Sequence, residues 1–249
     1  MLTTLLEGRA FAERFGDGEP AVVALHGWGR DHSQWTPVLA GLDVPAIAPD
    51  LPGFGATPPP ATAWSTVEYA DWTASILIDL DRPLLLGSSF GGRVCVQLAA
   101  ARPDLTRGVV LSGVPLYRSS AGSGKPALGY RFAKSLYSNG LIGEERMERA
   151  RQRYGSPDYR AAQGVMREIL VAAVNEVYDE QVESMAAHRV PTRLVWGEGD
   201  ETAPVWMAER AGSVLDAEPV VIVGAGHELD AAMVPALRDA VTAVLGGAR

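Results

Sequence analysis

A serine flanked by small residues is the strongest chemical signal in this sequence. Ser89 lies at the centre of Gly87-Ser88-Ser89-Phe90-Gly91, which matches the pattern G-x-S-x-G. The apolar run 84–86 before it predicts a buried strand, and the apolar spacing over 94–101 after it predicts a helix. A sharp strand-to-helix turn exposes its central side chain and leaves no room for bulk two residues to either side. The pattern also arises by chance in a chain with 27 glycine residues, so the interpretation of Ser89 as a nucleophile needs partner residues.

A serine nucleophile needs a general base, and His227 is the favoured candidate. It directly follows the last predicted strand, in Gly224-Ala225-Gly226-His227. It also follows the serine and the candidate acids along the chain, in the order serine, acid, histidine. Of the other histidines, His32 and His188 lie in polar segments, where we expect solvated surface positions.

The base in turn needs a carboxylate to orient it, and three acids compete for that role after the penultimate strand. These are Glu198, Asp200 and Glu201, within Gly197-Glu198-Gly199-Asp200-Glu201. We favour Asp200 because it follows a glycine in the turn and precedes a predicted helix start near Pro204. Asp200 also suits a role as a turn or helix cap. An acid after the fourth parallel strand is the other known arrangement, but Ser112-Gly113-Val114-Pro115 contains none.

Attack on a carbonyl places negative charge on its oxygen, so the site also needs two converging N–H donors. We expect one from the backbone of Phe90, just after the serine, and the other from Trp28. Trp28 lies in His26-Gly27-Trp28-Gly29, a loop whose glycines allow a close approach to a ligand. For His26 we favour a side chain that holds this loop by hydrogen bonds over a direct catalytic role.

The elements that must position these residues alternate between strand and helix, which predicts an α/β fold with a mainly parallel sheet covered on both faces. Residues 3–15 predict an antiparallel edge of two short strands. Ser65 and Glu68 form a capping box that predicts a helix over 66–79, with a core-facing set of Val67, Ala70, Ala74, Leu77 and Ile78.

The alternation of strands and helices breaks over residues 116–187, which have helical periodicity and no strand-like run. We therefore expect a core of residues 1–115 and 188–249, with 116–187 inserted as a helical cap. The arginines over 146–153 alternate with glutamates, which predicts a solvated helix face. Some aromatic and methionine side chains of this segment are candidates for a pocket, although we expect most of them in the core: Tyr117, Tyr130, Phe132, Tyr137, Tyr154, Tyr159 and Met166.

Composition limits the partners. The chain has 249 residues and a formal net charge of −8, which disfavours nucleic acid, acidic membranes and strongly anionic ligands. Cys95 is the single cysteine, so no internal disulfide forms, and we expect it to be a small buried residue. The Walker-like string over 122–126 lacks its first glycine and the hydroxyl residue after lysine, which argues against nucleotide binding. Without a long apolar run or a leader pattern, we expect a soluble, cytoplasmic protein with no membrane partner.

Taken together in this order, the motifs resemble those of the α/β-hydrolase superfamily, over nearly the whole chain outside the predicted cap. Haloalkane dehalogenases and epoxide hydrolases carry an aspartate at the position of Ser89, which argues against both. Within the superfamily, the loop HGWG is similar to that of pimeloyl-ester carboxylesterases, and GSSFGG is similar to that of carbon–carbon bond hydrolases of ring-cleavage products. The segment Glu228-Leu229-Asp230 departs from relatives in which it is often apolar.

The resemblance implies Ser89 as nucleophile, Asp200 as acid, His227 as base, and Trp28 and Phe90 as oxyanion donors, with no cofactor and no metal. The function we expect is hydrolysis of a small to medium, largely apolar carboxylic ester, by a monomer or homodimer. Two alternatives remain: carbon–carbon bond hydrolysis of dienoic ketones, and a small-molecule receptor that uses the same fold.

Overall fold

The computed structural model describes residues 1–118, 135–154 and 157–247. In this part of the chain, eight strands form one sheet in the order β1-β2-β4-β3-β5-β6-β7-β8. The first two pairings in that order are antiparallel and the others are parallel, as the sequence predicts. The strands are β1 Leu2–Leu5, β2 Ala10–Phe15, β3 Val22–Leu25, β4 Ala46–Pro49, β5 Leu84–Ser88, β6 Val109–Ser112, β7 Thr192–Gly197 and β8 Val220–Ile222.

Helices cover both faces of the sheet. In β3, Val23 and Leu25 join one apolar cluster, while Val22 and Ala24 join the other, because successive strand residues point to opposite faces. The helices that lie wholly within the described residues are α1 Thr36–Leu39, α2 Thr66–Leu77, α3 Ser89–Ala101, α4 Glu144–Tyr154, α5 Pro157–Ala161, α6 Gly164–Asn175, α7 Asp179–Ala187, α8 Val205–Leu215 and α9 Val234–Gly246, with 3₁₀ turns at His32–Trp35 and Pro103–Leu105.

The parallel pairings bring the carboxyl ends of the central strands to one edge. Leu25 pairs with Gly87, Ser88 with Ser112, and Gly197 with Ile222. The loops that follow β3, β5, β6, β7 and β8 therefore leave the sheet side by side. Residues more than a hundred positions apart in sequence meet there.

Helix α2 has the predicted capping box, with Ser65 as N-cap and Glu68 at the third position. Ala70 and Leu77 are buried as predicted, but the prediction was wrong for Val67 and Ile78, which are 49% and 65% exposed. The helix is turned so that Tyr69 is also buried; its ring packs 5.0 Å from Phe90, and its hydroxyl donates to the Pro52 carbonyl at 2.8 Å. Burial of the large Tyr69 ring, with its hydroxyl hydrogen-bonded, stabilises this orientation more than burial of the aliphatic Val67 and Ile78 at the helix ends would.

In the described parts of 116–187 we find helices α4 to α7 and no strand. Polar contacts tie this segment to the rest of the fold: Arg93 of α3 donates to the Ala173 carbonyl at 2.6 Å. Glu176 accepts from the Thr66 backbone N–H at 3.2 Å and so caps α2 from outside. That residues 116–187 form a cap separate from the core stays a prediction.

The aromatic side chains of 116–187 do not share one environment. Tyr117 is buried beneath the Arg210 guanidinium, which lies 4.1 Å from its ring centre. Tyr137 and Tyr154 are 39% and 41% exposed, so the expectation of burial was wrong for them. Tyr159 and Met166 are half-buried, and Arg146, Arg149 and Arg153 are exposed as predicted. Tyr130, Phe132 and the string 122–126 lie outside the described residues.

Among the helices of the described residues, none combines the length and the apolar character that crossing a bilayer requires.

The observed face of α2 can be tested with two neighbouring residues. Leu77 is fully buried and Ile78 is 65% exposed. We expect Leu77→Ala to lower the free energy of unfolding by about 2–5 kcal/mol because it leaves a cavity. Ile78→Ala should change it by less than about 0.5 kcal/mol. Urea unfolding followed by circular dichroism measures both, and equal losses would contradict the observed helix rotation.

Candidate active site

Ser89 occupies the turn between β5 and α3. Its φ is +48°, in the left-handed region that a side chain with a Cβ rarely adopts. Such a conformation costs about 1–3 kcal/mol and persists only where the surrounding structure enforces it. Here β5 is buried along its whole length and α3 starts at Ser89 itself, so the two elements hold the turn between them.

The flanking glycines are required by contacts with backbone. A Cβ on Gly87 would lie 2.6 Å from Gly92 Cα, and a Cβ on Gly91 would lie 2.2 Å from the Leu25 carbonyl oxygen. Both distances are far inside van der Waals contact. The steric reason for the small residues around Ser89 is therefore confirmed.

His227 and Asp200 meet Ser89 in one hydrogen-bonded chain. The Ser89 hydroxyl donates to His227 Nε2 at 3.0 Å, and His227 Nδ1–H donates to Asp200 Oδ2 at 2.8 Å. The Asp200 side chain is fully buried, and its other oxygen accepts the N–H groups of Thr202 and Ala203 at 2.9 and 2.7 Å. This arrangement fixes the imidazole tautomer, because a carboxylate can only accept.

Among the described contacts, neither of the other two candidate acids is hydrogen-bonded to His227. Glu198 is exposed and accepts from the Gly224 N–H at 3.3 Å, and Glu201 is exposed. Asp200 also bonds the backbone of its own turn, so the turn-capping role and the contact with His227 coexist in one side chain.

The loop 26–30 runs directly beside Ser89. A Cβ on Gly27 would lie 3.5 Å from Ser89 Cβ. Phe90 is the second residue of α3, where a backbone N–H has no acceptor within the helix. The Trp28 N–H has no hydrogen-bond acceptor among the described residues. Within the described residues, two N–H groups without an acceptor therefore border the serine; their role as oxyanion donors stays a prediction.

His26 holds the loop from beneath, as expected. It is fully buried; Nδ1–H donates to the Gly27 carbonyl at 2.8 Å, and Nε2 accepts the Leu51 N–H at 3.0 Å. Burial lowers the pKa of His26 to about 4, because the charged imidazolium would lose its hydration. The residue is therefore neutral at physiological pH and joins the loops after β3 and β4.

The prediction that His32 is a solvated surface residue was wrong. Its Nδ1 lies 2.7 Å from Asp50 Oδ1, which also accepts the His32 backbone N–H at 2.8 Å. Asp50 is fully buried, and its other oxygen accepts the Ala56 N–H at 2.8 Å. Asp31 lies close enough to His32 and Asp50 for the three side chains to resemble a set of metal ligands. The oxygens of Asp50, however, already accept hydrogen bonds from these donors.

Gly113 is a site residue that the sequence reading missed. It follows β6 with a φ of +57°, and a Cβ there would lie 3.0 Å from Asp200 Oδ2 and 3.3 Å from His227 Nδ1. Only glycine leaves room for the contact between the acid and the base. A glycine directly after a strand at the functional edge was the available signal.

A pocket of about 200 Å³ opens over Ser89. Its wall is mostly polar, and Arg30 pairs with Glu228 across it at 2.6 Å. Among the described lining residues Trp28 has the largest side chain, and it packs edge-to-face on Phe54 and Phe90. The lining residues are Gly27, Trp28, Gly29, Arg30, Gln34, Ser88, Ser89, Asp158, Thr202, His227 and Glu228.

Cys95 is buried within α3, as expected. Burial raises the pKa of its thiol, which keeps it protonated and unreactive.

A mainly parallel sheet with a strained serine turn, a histidine and a buried aspartate at one edge defines an enzyme fold of the hydrolase class. The model of the Alpha/beta hydrolase family matches residues 22–243. The chain therefore belongs to the α/β hydrolase family.

Relatives and solved structures agree with this assignment. The chain is 45% identical over 94 residues to the biotin biosynthesis bifunctional protein BioHC of Cellvibrio japonicus, covering 36% of this chain and 18% of that protein. It is 39% identical over 102 residues to a pimeloyl-[acyl-carrier protein] methyl ester esterase of Aeromonas hydrophila, covering 37% and 36%. These matches span less than two-fifths of each relative's length.

A meta-cleavage product hydrolase from Pseudomonas fluorescens IP01 has the same fold. The TM-score is 0.69 at 19% identity, and the match covers 97% of this chain and 96% of that one. At this identity the likeness concerns the fold alone.

The neutral state of His26 predicts a pH dependence of stability. Its pKa in the folded state, about 4, lies below the unfolded value of 6.5, so the unfolded chain binds the extra proton first as the pH falls. The free energy of unfolding that comes from keeping His26 neutral is therefore fully present above pH 6.5. It falls by about 3 kcal/mol as the pH drops from 6.5 to 4.

Urea unfolding of the wild type and of His26→Asn at pH 7, 5.5 and 4.5 measures this effect. The stability advantage of the wild type over the variant should shrink as the pH falls. A constant difference across these pH values would show that His26 is not held neutral by burial.

Proposed function

We propose that this protein is a serine hydrolase that cleaves small to medium carboxylic esters through an acyl-enzyme. One observation carries the proposal: the hydrogen-bonded chain from Ser89 through His227 to Asp200, with the serine in a strained turn. In this proposal Ser89 is the nucleophile, His227 the general base and Asp200 the orienting acid. Trp28 and Phe90 supply the oxyanion donors.

In the first half of the reaction, Ser89 Oγ attacks the carbonyl carbon of the ester. His227 Nε2 takes the hydroxyl proton, and the buried carboxylate of Asp200 stabilises the imidazolium that results. The negative charge moves to the carbonyl oxygen, which receives the N–H groups of Trp28 and Phe90. One donor of this kind is worth about 3 kcal/mol of barrier.

Collapse of this intermediate breaks the bond to the alcohol, and His227 returns its proton to the leaving oxygen. A water molecule then attacks the acyl-enzyme, with His227 again accepting the proton. The second collapse releases the carboxylic acid and restores Ser89. The chain's own residues supply every proton transfer in this cycle.

The substrate follows from the size and chemistry of the pocket. About 200 Å³ beside Ser89 suits a small acyl or alcohol group. The lining formed by the described residues is mostly polar, with Arg30, Gln34, Thr202 and Glu228 beside Trp28. It favours a substrate with polar atoms over the largely apolar ester that the sequence suggested. The name of the Aeromonas relative, a methyl ester esterase, supports an ester as the reacting group.

The cap division, a cytoplasmic location and a monomer or homodimer stay predictions from the sequence. A carbon–carbon bond hydrolase or a small-molecule receptor can have the same fold. Assays of turnover distinguish both from an ester hydrolase.

The first test is steady-state hydrolysis of p-nitrophenyl acetate, butyrate and octanoate. We expect turnover that falls with acyl length, since the pocket is small. Ser89→Ala should reduce kcat at least about 1,000-fold, while the circular dichroism spectrum and thermal unfolding stay those of the wild type. Ser75→Ala, an exposed serine on α2, is the matched control and should retain full activity.

The choice of acid is tested in the same assay. Asp200→Asn should lower kcat about 10,000-fold, because an amide favours the wrong imidazole tautomer. Glu198→Gln should leave kcat within about twofold. The reverse pattern would show that the acid is Glu198. Retained activity in Ser89→Ala would contradict the whole mechanism.

A further inference from the structure

Gln34 lies between the loop 26–30 and the pocket, and nothing in the proposed chemistry uses it. It belongs to the 3₁₀ turn His32–Trp35, and its Oε1 accepts the Gly27 backbone N–H at 2.8 Å. An N–H can be accepted only by the oxygen of an amide. The contact therefore fixes the orientation of the Gln34 side chain, with the NH₂ group turned away from the Gly27 N–H.

This contact also clarifies which N–H groups remain for a substrate. The Gly27 N–H is engaged by Gln34, whereas the Trp28 N–H has no acceptor among the described residues. Gln34 thus holds the loop so that the next N–H along the chain stays free.

The NH₂ group of Gln34 lies near the reacting serine. A Cβ on Gly27 would lie 3.8 Å from Gln34 Nε2 and 3.5 Å from Ser89 Cβ, so the amide and the serine flank the same glycine. Gln34 lines the pocket together with Ser89 and His227. In the described part of the chain, no acceptor for Gln34 Nε2 is present. Within the described residues this amide is oriented by one bond and its nitrogen has no acceptor, so the nitrogen can donate to a ligand.

We propose that Gln34 Nε2 donates a hydrogen bond to an oxygen on the acyl group of the substrate. This inference rests on the proposed function. The leaving oxygen must face His227 Nε2, and the carbonyl oxygen must face the Trp28 and Phe90 N–H groups. Gln34 is hydrogen-bonded to Gly27, the residue before Trp28, so in this proposal its amide meets the acyl chain close to the carbonyl carbon.

The substrate class is therefore an ester whose acyl chain carries an ether, hydroxyl or keto oxygen close to the carbonyl. A hydrocarbon chain in the same place would leave the Gln34 donor unpaired in the pocket. Such an unpaired donor is how a polar site discriminates against the analogue that lacks the acceptor.

A pair of matched esters tests this. p-Nitrophenyl methoxyacetate and p-nitrophenyl butyrate have acyl chains of the same length, and an ether oxygen replaces one methylene. The quantity measured is the ratio of their kcat/KM values, which removes any effect common to both. We expect Gln34→Met to lower the methoxyacetate-to-butyrate ratio about three- to tenfold, the worth of one hydrogen bond.

The variant Gln34→Glu distinguishes a role of Gln34 in binding the substrate from a role in positioning the loop 26–30. A glutamate keeps an oxygen for the Gly27 N–H but replaces the donor, so the ratio should fall at least as far as in Gln34→Met. Gln163→Met, an exposed glutamine outside the pocket lining, is the control and should leave the ratio unchanged. If both Gln34 variants lower the two kcat/KM values equally, Gln34 only positions the loop and the proposal is overturned.

A binding measurement keeps this test independent of turnover. Methyl methoxyacetate and methyl butyrate can be titrated by NMR into Ser89→Ala with Gln34 present or replaced by Met. The preference for the methoxy ester should fall about three- to tenfold on replacement. Lack of turnover in the wild type together with this binding preference would contradict the hydrolase and retain the role of Gln34. Equal preferences with and without Gln34 would reject that role.

Discussion

The backbone of Ser89 is the constraint on which the site depends. A serine at a φ of +48° persists only where its neighbours leave no relaxed alternative. The buried strand β5 enters the turn, α3 leaves it, and glycines on both sides pack against backbone of β3 and α3. The packing of the sheet and of α3 thus stabilises the strained turn. The turn places the Ser89 hydroxyl at the edge of the parallel strands.

The loops around this turn are held by hydrogen bonds between segments distant in sequence. His26 joins the loops after β3 and β4, and Asp50 binds His32 and the Ala56 N–H. Asp200 ties its own turn to His227. Polar groups held in this way need little reorganisation when charge develops on a substrate, which is how a preorganised site lowers a barrier. The buried neutral imidazole of His26 and the buried carboxylates of Asp50 and Asp200 therefore hold the loops of the site in position.

The sequence predicted the mainly parallel sheet and its antiparallel edge, and it placed Ser89, Asp200 and His227 after strand ends because they lie in local motifs there. It erred where long-range packing decides. Tyr69 sets the rotation of α2 through contacts with Phe90 and Pro52, which no periodicity reveals. His32 sits in a polar segment, yet Asp50 binds it. Gly113 and Gln34 gain their meaning from contacts with Asp200 and Gly27, and those contacts exist only in the folded chain.

The central claim is that Ser89 is activated as a nucleophile by its surroundings. Reaction with a fluorophosphonate, followed by intact-mass and peptide mass spectrometry, tests it most directly because the reagent labels activated serines without requiring the natural substrate. We expect one adduct per chain, on Ser89, with labelling strongly slowed in Asp200→Asn. No adduct, or an adduct on another residue, would contradict it.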